Sequence, residues 1–485
     1  MMTRLGPEAA HPSGAAAPAP QRPNDDPPLQ LTLAAVRAAL PDAELWPPSV
    51  GDLPLATVTH DSRRAQPGTL FVALQGARDG HAFIADAVAR GAVAALGSRP
   101  RGEVAADGLR AYVRVADALD GLQRLAAAWR AQMPVAVVGV TGSVGKTSTK
   151  ELVAHVLGRR WEVLRNTGNY NNEIGLPLTL LELRPRHAVA VLEMGMYAIG
   201  EIALLARLAR PRVGIVTNVG PVHLERLGSL DAIARAKGEL VEALPAGGCA
   251  VLNGDDERVR RMTERTAANV LTYGKGPGCD VSIVKLESRG LDGLTLSLAT
   301  PAGTLEVRTP LGGAHHAYTV AAATGAALAL GMGLDEIAVA LEDAPPTLRT
   351  VIHRLPQGGL LIDDTYNASP ASVIAALDFL AECRGRRVAI LGDMFELGVA
   401  EEEGHRQVGR RAAAVVDELW AVGERARWIA EEARAAGLAA VHWRATKEEI
   451  AYRPRSHDVV LLKASRGMRF ETLVAALLGG AEAGQ

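Results

Sequence analysis

Cysteine is scarce in this chain. Its 485 residues include three, Cys249, Cys279 and Cys383, standing far apart with no CxxC pair. That pattern excludes a disulfide scaffold and a cysteine zinc site, and it fits a reducing compartment. Positive charge is not in excess either: 52 Lys and Arg face 54 Asp and Glu, a formal net charge of -2. The surface therefore offers no overall basic field to a nucleic-acid backbone, and an acidic ligand must be met by local basic pockets. Most of the cations are Arg, whose planar fork grips phosphates and carboxylates. Long apolar runs are also missing. Residues 1–28, rich in Ala and Pro, have no apolar core, which predicts a disordered tail rather than a signal peptide. No later stretch is long enough to span a bilayer. The expectation is a cytoplasmic protein with no membrane insertion and no nucleic-acid partner. An internal repeat is absent, which excludes a solenoid.

What is present is a globular composition, 48% apolar and 22% charged, on a chain too long for one hydrophobic core. Residues 29–130 mix short strands and helices, with "GTLFVALQG" (Gly68–Gly76) reading as a strand and "AFIADAVARGA" (Ala82–Ala92) as an amphipathic helix. Residues 131–346 alternate apolar strands ("VAVVGV", "HAVAVLEM", "RVGIVTN", "CAVLN") with helices, the mark of a parallel sheet covered by helices. Within them, Asp280 to Pro310 reads as an insert of antiparallel hairpins turning at "GLDG" and "PAG". Residues 347–485 repeat the alternation with "GLLIDD", "RRVAILGD", "ELWAVG" and "DVVLLKAS". The predicted fold is α/β in three domains: a smaller N-terminal α/β domain, a central parallel sheet with the antiparallel insert, and a C-terminal Rossmann-like doubly wound domain. Ligands are expected between them.

The run "TGSVGKT" (Thr141–Thr147) has the parts of a phosphate loop, although Val140 stands where the usual pattern has glycine. Gly142 and Gly145 let backbone N–H groups turn toward phosphate oxygens, with Ser143 and Ser148 at the same turn. Lys146 adds a point charge, the Thr147 hydroxyl suits magnesium, and the helix that follows points its positive end at the anion. Glu193 ends a strand and His223 follows one, so both lie near the carboxyl rim where open α/β sheets bind ligands. Taken singly they read as an ordinary rim carboxylate and an ordinary loop histidine; beside a phosphate loop they become candidate magnesium ligands. Lys237, in "DAIARAKGELVEAL", reads on its own as a solvated surface lysine.

The segments "TGSVGKTSTKE", "NYNNEIGLPLTLL" (Asn169–Leu181), "NVGPVHLERLGSLDAIARAKGE" (Asn218–Glu239) and "IDDTYNASPASV" (Ile362–Val373) together resemble the Mur ligases. The likeness runs from "THDSR" (Thr59–Arg63) to "KASRGMRFE" (Lys463–Glu471), and "DDTYNASP" and "LGDMFELG" select among the members. It implies an ATP-dependent amide ligase that joins D-alanyl-D-alanine to a UDP-N-acetylmuramoyl tripeptide through an acyl phosphate, acting as a monomer on these small molecules. It further implies that Lys146 and Thr147 meet the phosphates and a first magnesium ion shared with Glu193, and that His223 holds a second. Lys237 falls where the family carries an N-carbamylated lysine. Asn169, Asn171 and Asn172 are expected to orient substrate, and Ser62 and Arg63 with Asp79, Gly80 and His81 to hold the UDP end. In the last domain Arg354 and Asp364 are assigned to the nucleotide, and Tyr366, Asn367, Lys463, Ser465 and Arg466 to substrate. Where the family usually has two asparagines near adenine, this chain has "HHAYT", leaving His316 as the candidate base contact. Two other readings stay open: an amide ligase of the same architecture acting on a folate or polyglutamate acid, and a nucleotide switch read by a partner protein.

Overall fold

The run Ala136–Thr141 is buried at every position and forms an inner strand of a nine-stranded sheet. The computed structural model describes residues 31–104 and 107–479; the predicted tail, residues 1–28, lies outside the described residues. Across the large sheet the strands run Gly303–Thr309, Leu294–Thr300, Val281–Ser288, Asn269–Gly274, Cys249–Asn253, Val213–Val216, Ala136–Thr141, Val189–Glu193 and Val163–Arg165. The last seven of these are parallel to one another, and each connection up to strand Asn269–Gly274 carries a helix before the next strand starts. The first three are antiparallel hairpins, with Leu294 opposite Thr309 and Ser288 opposite Leu294. These hairpins continue the sheet at its edge, where Tyr273 and Gly274 pair with Val281 and Ser282.

Helices Lys146–Gly158 and His316–Ala329 cover one face of this sheet. Half of the second is Ala, and it is buried along most of its length, which lets its backbone lie close to the strands. Helices Glu201–Ala209 and Leu230–Glu242 cover the other face.

The first sheet has five strands, in the order Glu44–Trp46, Ala111–Arg114, Ala92–Gly97, Thr69–Val72 and Thr57–Thr59. The helix expected over Ala82–Ala92 is shorter, Ile84–Ala89, because Asp79 caps a 3-10 turn over Gly80–Phe83 ahead of it. Helix Ala118–Ala131 joins this sheet to the large one through a shared apolar core that includes Leu122, Leu125 and Trp129. The buried Arg130 guanidinium donates to the carbonyls of Ala209 (2.9 Å), Met133 (3.0 Å) and Val135 (2.9 Å), spanning the same junction.

The last sheet runs Val351–Arg354, Leu360–Asp363, Asp458–Lys463, Arg386–Gly392, Glu418–Val422 and Val441–Arg444. Its first pair is antiparallel and the rest are parallel. Three helices pack on one face, and Tyr452, Phe470 and Val474 on the other. The described residues are thus α/β in three sheets. Among them no helix is long and apolar enough to cross a membrane.

Candidate active site

The phosphate loop is held from behind by the strand end beside it. Thr217 Oγ1 donates to the Val144 carbonyl at 2.7 Å, and Asn218 accepts the Val144 N–H at 2.8 Å while donating back to its carbonyl at 2.9 Å. Ser143 Oγ accepts the Gly220 N–H at 2.8 Å. Gly142 has φ +146°, and a Cβ there would run into Thr217 Oγ1, so only glycine fits this turn. Gly145, at φ +85°, starts helix Lys146–Gly158. Lys146 Nζ folds back onto the carbonyls of Gly142 (2.8 Å) and Ser143 (3.3 Å). Burial holds its pKa below the ordinary lysine value, against the pull of nearby Glu193.

Glu193 is 3% exposed, and its two oxygens are divided between two neutral donors. Thr147 Oγ1 donates to Oε2 at 2.8 Å and Asn171 Nδ2 to Oε1 at 2.8 Å. Asn166 fixes the same residue by its backbone, accepting the Glu193 N–H at 2.9 Å and donating to its carbonyl at 3.0 Å. A carboxylate and a hydroxyl at the head of the phosphate loop are hard oxygen donors of the kind magnesium takes. Among the described residues no group of three or more His, Cys, Asp or Glu side chains stands at metal-binding spacing.

Lys237 is not on the surface. It is 3% exposed, no carboxylate among the described residues lies within ion-pair distance, and burial with nearby Lys146 pushes its pKa well below the lysine value. His223 follows the strand Val213–Val216 with a left-handed backbone, φ +62°. Its Nδ1 pairs with Glu396 Oε2 at 2.5 Å, and Tyr197 meets its ring edge-on at 4.8 Å. Burial lowers the His223 pKa, with Glu396 opposing.

Between the large sheet and the last sheet lies a cavity of about 450 Å³. Gly145, Ser148 and His316 reach it from the large sheet, and Asp364, Asn367 and Lys463 from the last. His316 is buried and bonds Thr319 at 3.4 Å; burial carries its pKa well below that of free histidine, so the ring is neutral. Lys463 Nζ donates to Asp364 Oδ2 at 2.5 Å and to the Asn367 carbonyl at 2.9 Å. Tyr366 lies under two guanidiniums, Arg349 at 4.3 Å and Arg466 at 5.2 Å from the ring centre. Ser465 Oγ accepts the Phe395 N–H at 2.9 Å.

Two expected contacts need correction. Arg354 is at the wrong end of its hairpin: it pairs with Leu360, whereas Asp363, next to Asp364, pairs with Val351. The cationic group that lines the cavity from this segment is Arg349. His81 is 7% exposed and both ring nitrogens are taken, Nδ1 by Asp79 at 2.6 Å and Nε2 by the Ser98 N–H at 2.9 Å. Its role is to pin the turn that begins at Gly80, where an added Cβ would collide with the Leu74 backbone. Asn172 Oδ1 accepts the Gly175 N–H at 2.9 Å at the start of helix Gly175–Leu180. Asn169 is exposed beyond that turn. Ser62 is buried, and Arg63, 81% exposed along its side chain, pairs with Asp61 at 2.7 Å.

Arg349 and Glu396 were not foreseen. The first had a readable signal: an edge strand antiparallel to its neighbour brings its start, not its end, to the carboxyl rim.

Comparison with known proteins gives three consecutive matches. Residues 54–130 match the model described as Mur ligase family, catalytic domain; residues 140–327 match the Mur ligase middle domain; residues 349–466 match the Mur ligase, glutamate ligase domain. A UDP-N-acetylmuramoyl-tripeptide–D-alanyl-D-alanine ligase of Synechocystis sp. is 40% identical over 370 residues, 75% of this chain and 78% of that protein. The Escherichia coli protein of the same name is 37% identical over 448 residues, covering 88% and 94%. Among solved structures, MurF from Acinetobacter baumannii superposes with TM-score 0.83 at 32% identity, covering 94% of this chain and all of that one. MurF ligase from Thermotoga maritima in complex with ADP gives 0.76 at 30% identity, covering 87% and 97%.

Proposed function

The chain belongs to the Mur ligase family, and from that premise we propose that it joins D-alanyl-D-alanine to a UDP-N-acetylmuramoyl tripeptide, hydrolysing ATP to ADP and phosphate. The product is the pentapeptide precursor of peptidoglycan. The observation that carries the reading is the meeting, at one sheet rim, of a braced phosphate loop with cationic groups arriving from the last sheet, Arg349 and Lys463.

A carboxylate resists attack by an amine because its leaving group would be oxide. Transfer of the γ-phosphoryl group onto it gives an acyl phosphate, and the dipeptide amine then displaces phosphate. The chain must hold two anions together and keep water out while it does so. Backbone N–H groups of Gly142 to Ser148 and the Lys146 ammonium take the phosphates, with Lys146 leaving its loop carbonyls to do so. Arg349 meets the same phosphates across the cavity, while His316 and Asp364 face the nucleoside. Asn171 and Asn166 keep the Glu193 carboxylate aimed at Thr147. Ser62 and Arg63 serve the UDP end, and Tyr366 with Arg466 the dipeptide; Lys463 and Ser465 brace that wall. Thr147 and Glu193 would hold one magnesium ion, and His223 with a Lys237 carbamate a second. When bound, magnesium neutralises charge on the transferring phosphoryl group.

The reading is tested by incubating the purified protein with ATP, D-alanyl-D-alanine and a UDP-muramoyl tripeptide carrying lysine or diaminopimelate. Phosphate release is expected only when both the dipeptide and one of the tripeptides are present. Release driven instead by folate and glutamate, or indifferent to either substrate, overturns it.

Arg349 and Arg354 separate cleanly by mutation. Arg349→Ala is expected to lower kcat/KM for ATP by about 10²-fold, whereas Arg354→Ala leaves it near wild type. Equal effects on ATP kinetics would contradict the assignment.

For Lys237, a buried amine held neutral is the form that attacks carbon dioxide, forming the N–C bond and losing one proton. A new carbon-13 resonance is expected when the enzyme is supplied with labelled bicarbonate, absent from Lys237→Arg. A plain amine at Lys237 in active, bicarbonate-supplied enzyme would sink this part.

A further inference from the structure

Glu396 lies in "LGDMFELG", a segment to which the reaction chemistry assigns nothing, yet it reaches across to the large sheet and bonds His223 Nδ1 at 2.5 Å. Four non-glycine residues among those described have left-handed backbones, and these two, His223 at φ +62° and Glu396 at φ +64°, are half of them. Such conformations persist only where the surroundings over-determine them, and they gather at functional sites. Here the two strained residues are partners of each other, although 173 positions apart in the chain.

Both sides of the contact are built. On the last sheet, Met394 N–H bonds His405 Nε2 at 3.0 Å and Phe395 N–H bonds Ser465 Oγ at 2.9 Å, which delivers Glu396 at a fixed height. Just beyond it Gly398, φ +54°, lies against the backbone of Glu225; a Cβ would stand 3.1 Å from its N and Cα. On the other side Tyr197 touches the His223 ring edge-on, and Arg226 sits 4.7 Å over Tyr197. The contact therefore reports two things at once: the direction of the imidazole and the seating of the last sheet against the large one.

We infer that Glu396 is a positioning residue for the ligation: by accepting the Nδ1 proton of His223 it fixes the tautomer that leaves Nε2 bare, and it does so only while the last sheet is docked. A hydrogen bond at one ring nitrogen sets the state of the other. The histidine is then ready for phosphate chemistry only once Arg349 and Lys463, on the same side of the cleft as Glu396, have also arrived. This inference rests on the ligase reading above.

Loss of a partner that orients a functional histidine costs about 10–100-fold, so Glu396→Ala is expected to lower kcat by that amount with KM for ATP and UDP-tripeptide nearly unchanged. Glu396→Gln, whose amide oxygen still accepts the Nδ1 proton, is expected to recover most of the loss. A plain fastening of two sheets would instead raise both KM values and spare kcat. Nitrogen-15 histidine spectra near pH 8, where an unprotonated ring is favoured, supply a readout free of turnover. The ring signal missing from His223→Asn should show an Nδ1 proton in wild type and in Glu396→Gln, and an Nε2 proton in Glu396→Ala. An Nε2 proton on His223 in wild type overturns the inference, and so does a Glu396→Gln enzyme as slow as Glu396→Ala. If wild type turns over none of these substrates, the ligase reading fails, while the spectra still decide what Glu396 does to His223.

Discussion

Replacing Lys146 by methionine is expected to lower kcat by about 10³-fold while the melting temperature holds or rises slightly. In the proposed reaction the ammonium meets the transferring phosphoryl group, beside loop N–H groups that take the same anion. Its partners are the carbonyls of Gly142 and Ser143, at 2.8 and 3.3 Å, and among the described residues it forms no ion pair with a carboxylate. The sign of the stability effect follows from the pKa. Burial depresses it, so the folded chain carries a cost for the charged form at every pH below the folded pKa, and that cost fades as pH rises toward the ordinary lysine range. Methionine keeps the stem and removes the charge, which removes the cost at neutral pH. Steady-state phosphate release and a thermal melt check the two halves. A slow enzyme that also melts early would mean the lysine holds the loop together rather than acting on the anion.

Gly142→Ala is expected to destabilise the protein by about 3 kcal/mol and to abolish nucleotide binding. The added methyl meets Thr217 Oγ1, which donates to the Val144 carbonyl and so anchors the middle of the loop. Either the turn opens or Thr217 rotates away and releases Val144. Either way the N–H groups no longer converge. For a chain of this size melting as one unit the melting temperature should drop by about 3 °C. Gly158→Ala is the control. It ends the same helix, and nothing lies within 4 Å of its added Cβ. Its melting temperature should match or exceed wild type. A Gly142→Ala protein that melts and binds nucleotide normally would show that the loop tolerates what its geometry forbids.

The phosphate loop could be read from sequence because strand, glycine turn and helix are contiguous, and the strand ends placed Glu193 and His223 beside it. The hairpin strands were legible for a similar reason, since two-residue alternation is local. Their continuity with the large sheet was not, because it depends on pairing between Gly274 and Ser282. Lys237 could have been placed correctly. It stands four residues after Ile233 and three before Leu240, on the apolar face of helix Leu230–Glu242, and there it is buried. Glu396 is different. It acquires its meaning from the approach of the last sheet to the large one, and no local pattern encodes that approach. His81 misled for the opposite reason. A polar residue in a conspicuous turn resembles a ligand contact until both its ring nitrogens are seen to be spent within the turn and its neighbours.

The guanidinium of Arg130, riveted to three carbonyls between the first two sheets, fixes where the machine can bend. With those sheets welded into one arm by a common interior, an opening swing must fall on the short stretch between helix Leu334–Glu342 and strand Val351–Arg354. Arg349 is on that stretch. The lever that parts the jaws is thus expected to withdraw its own grip on the nucleotide, coupling release of product to the hinge itself.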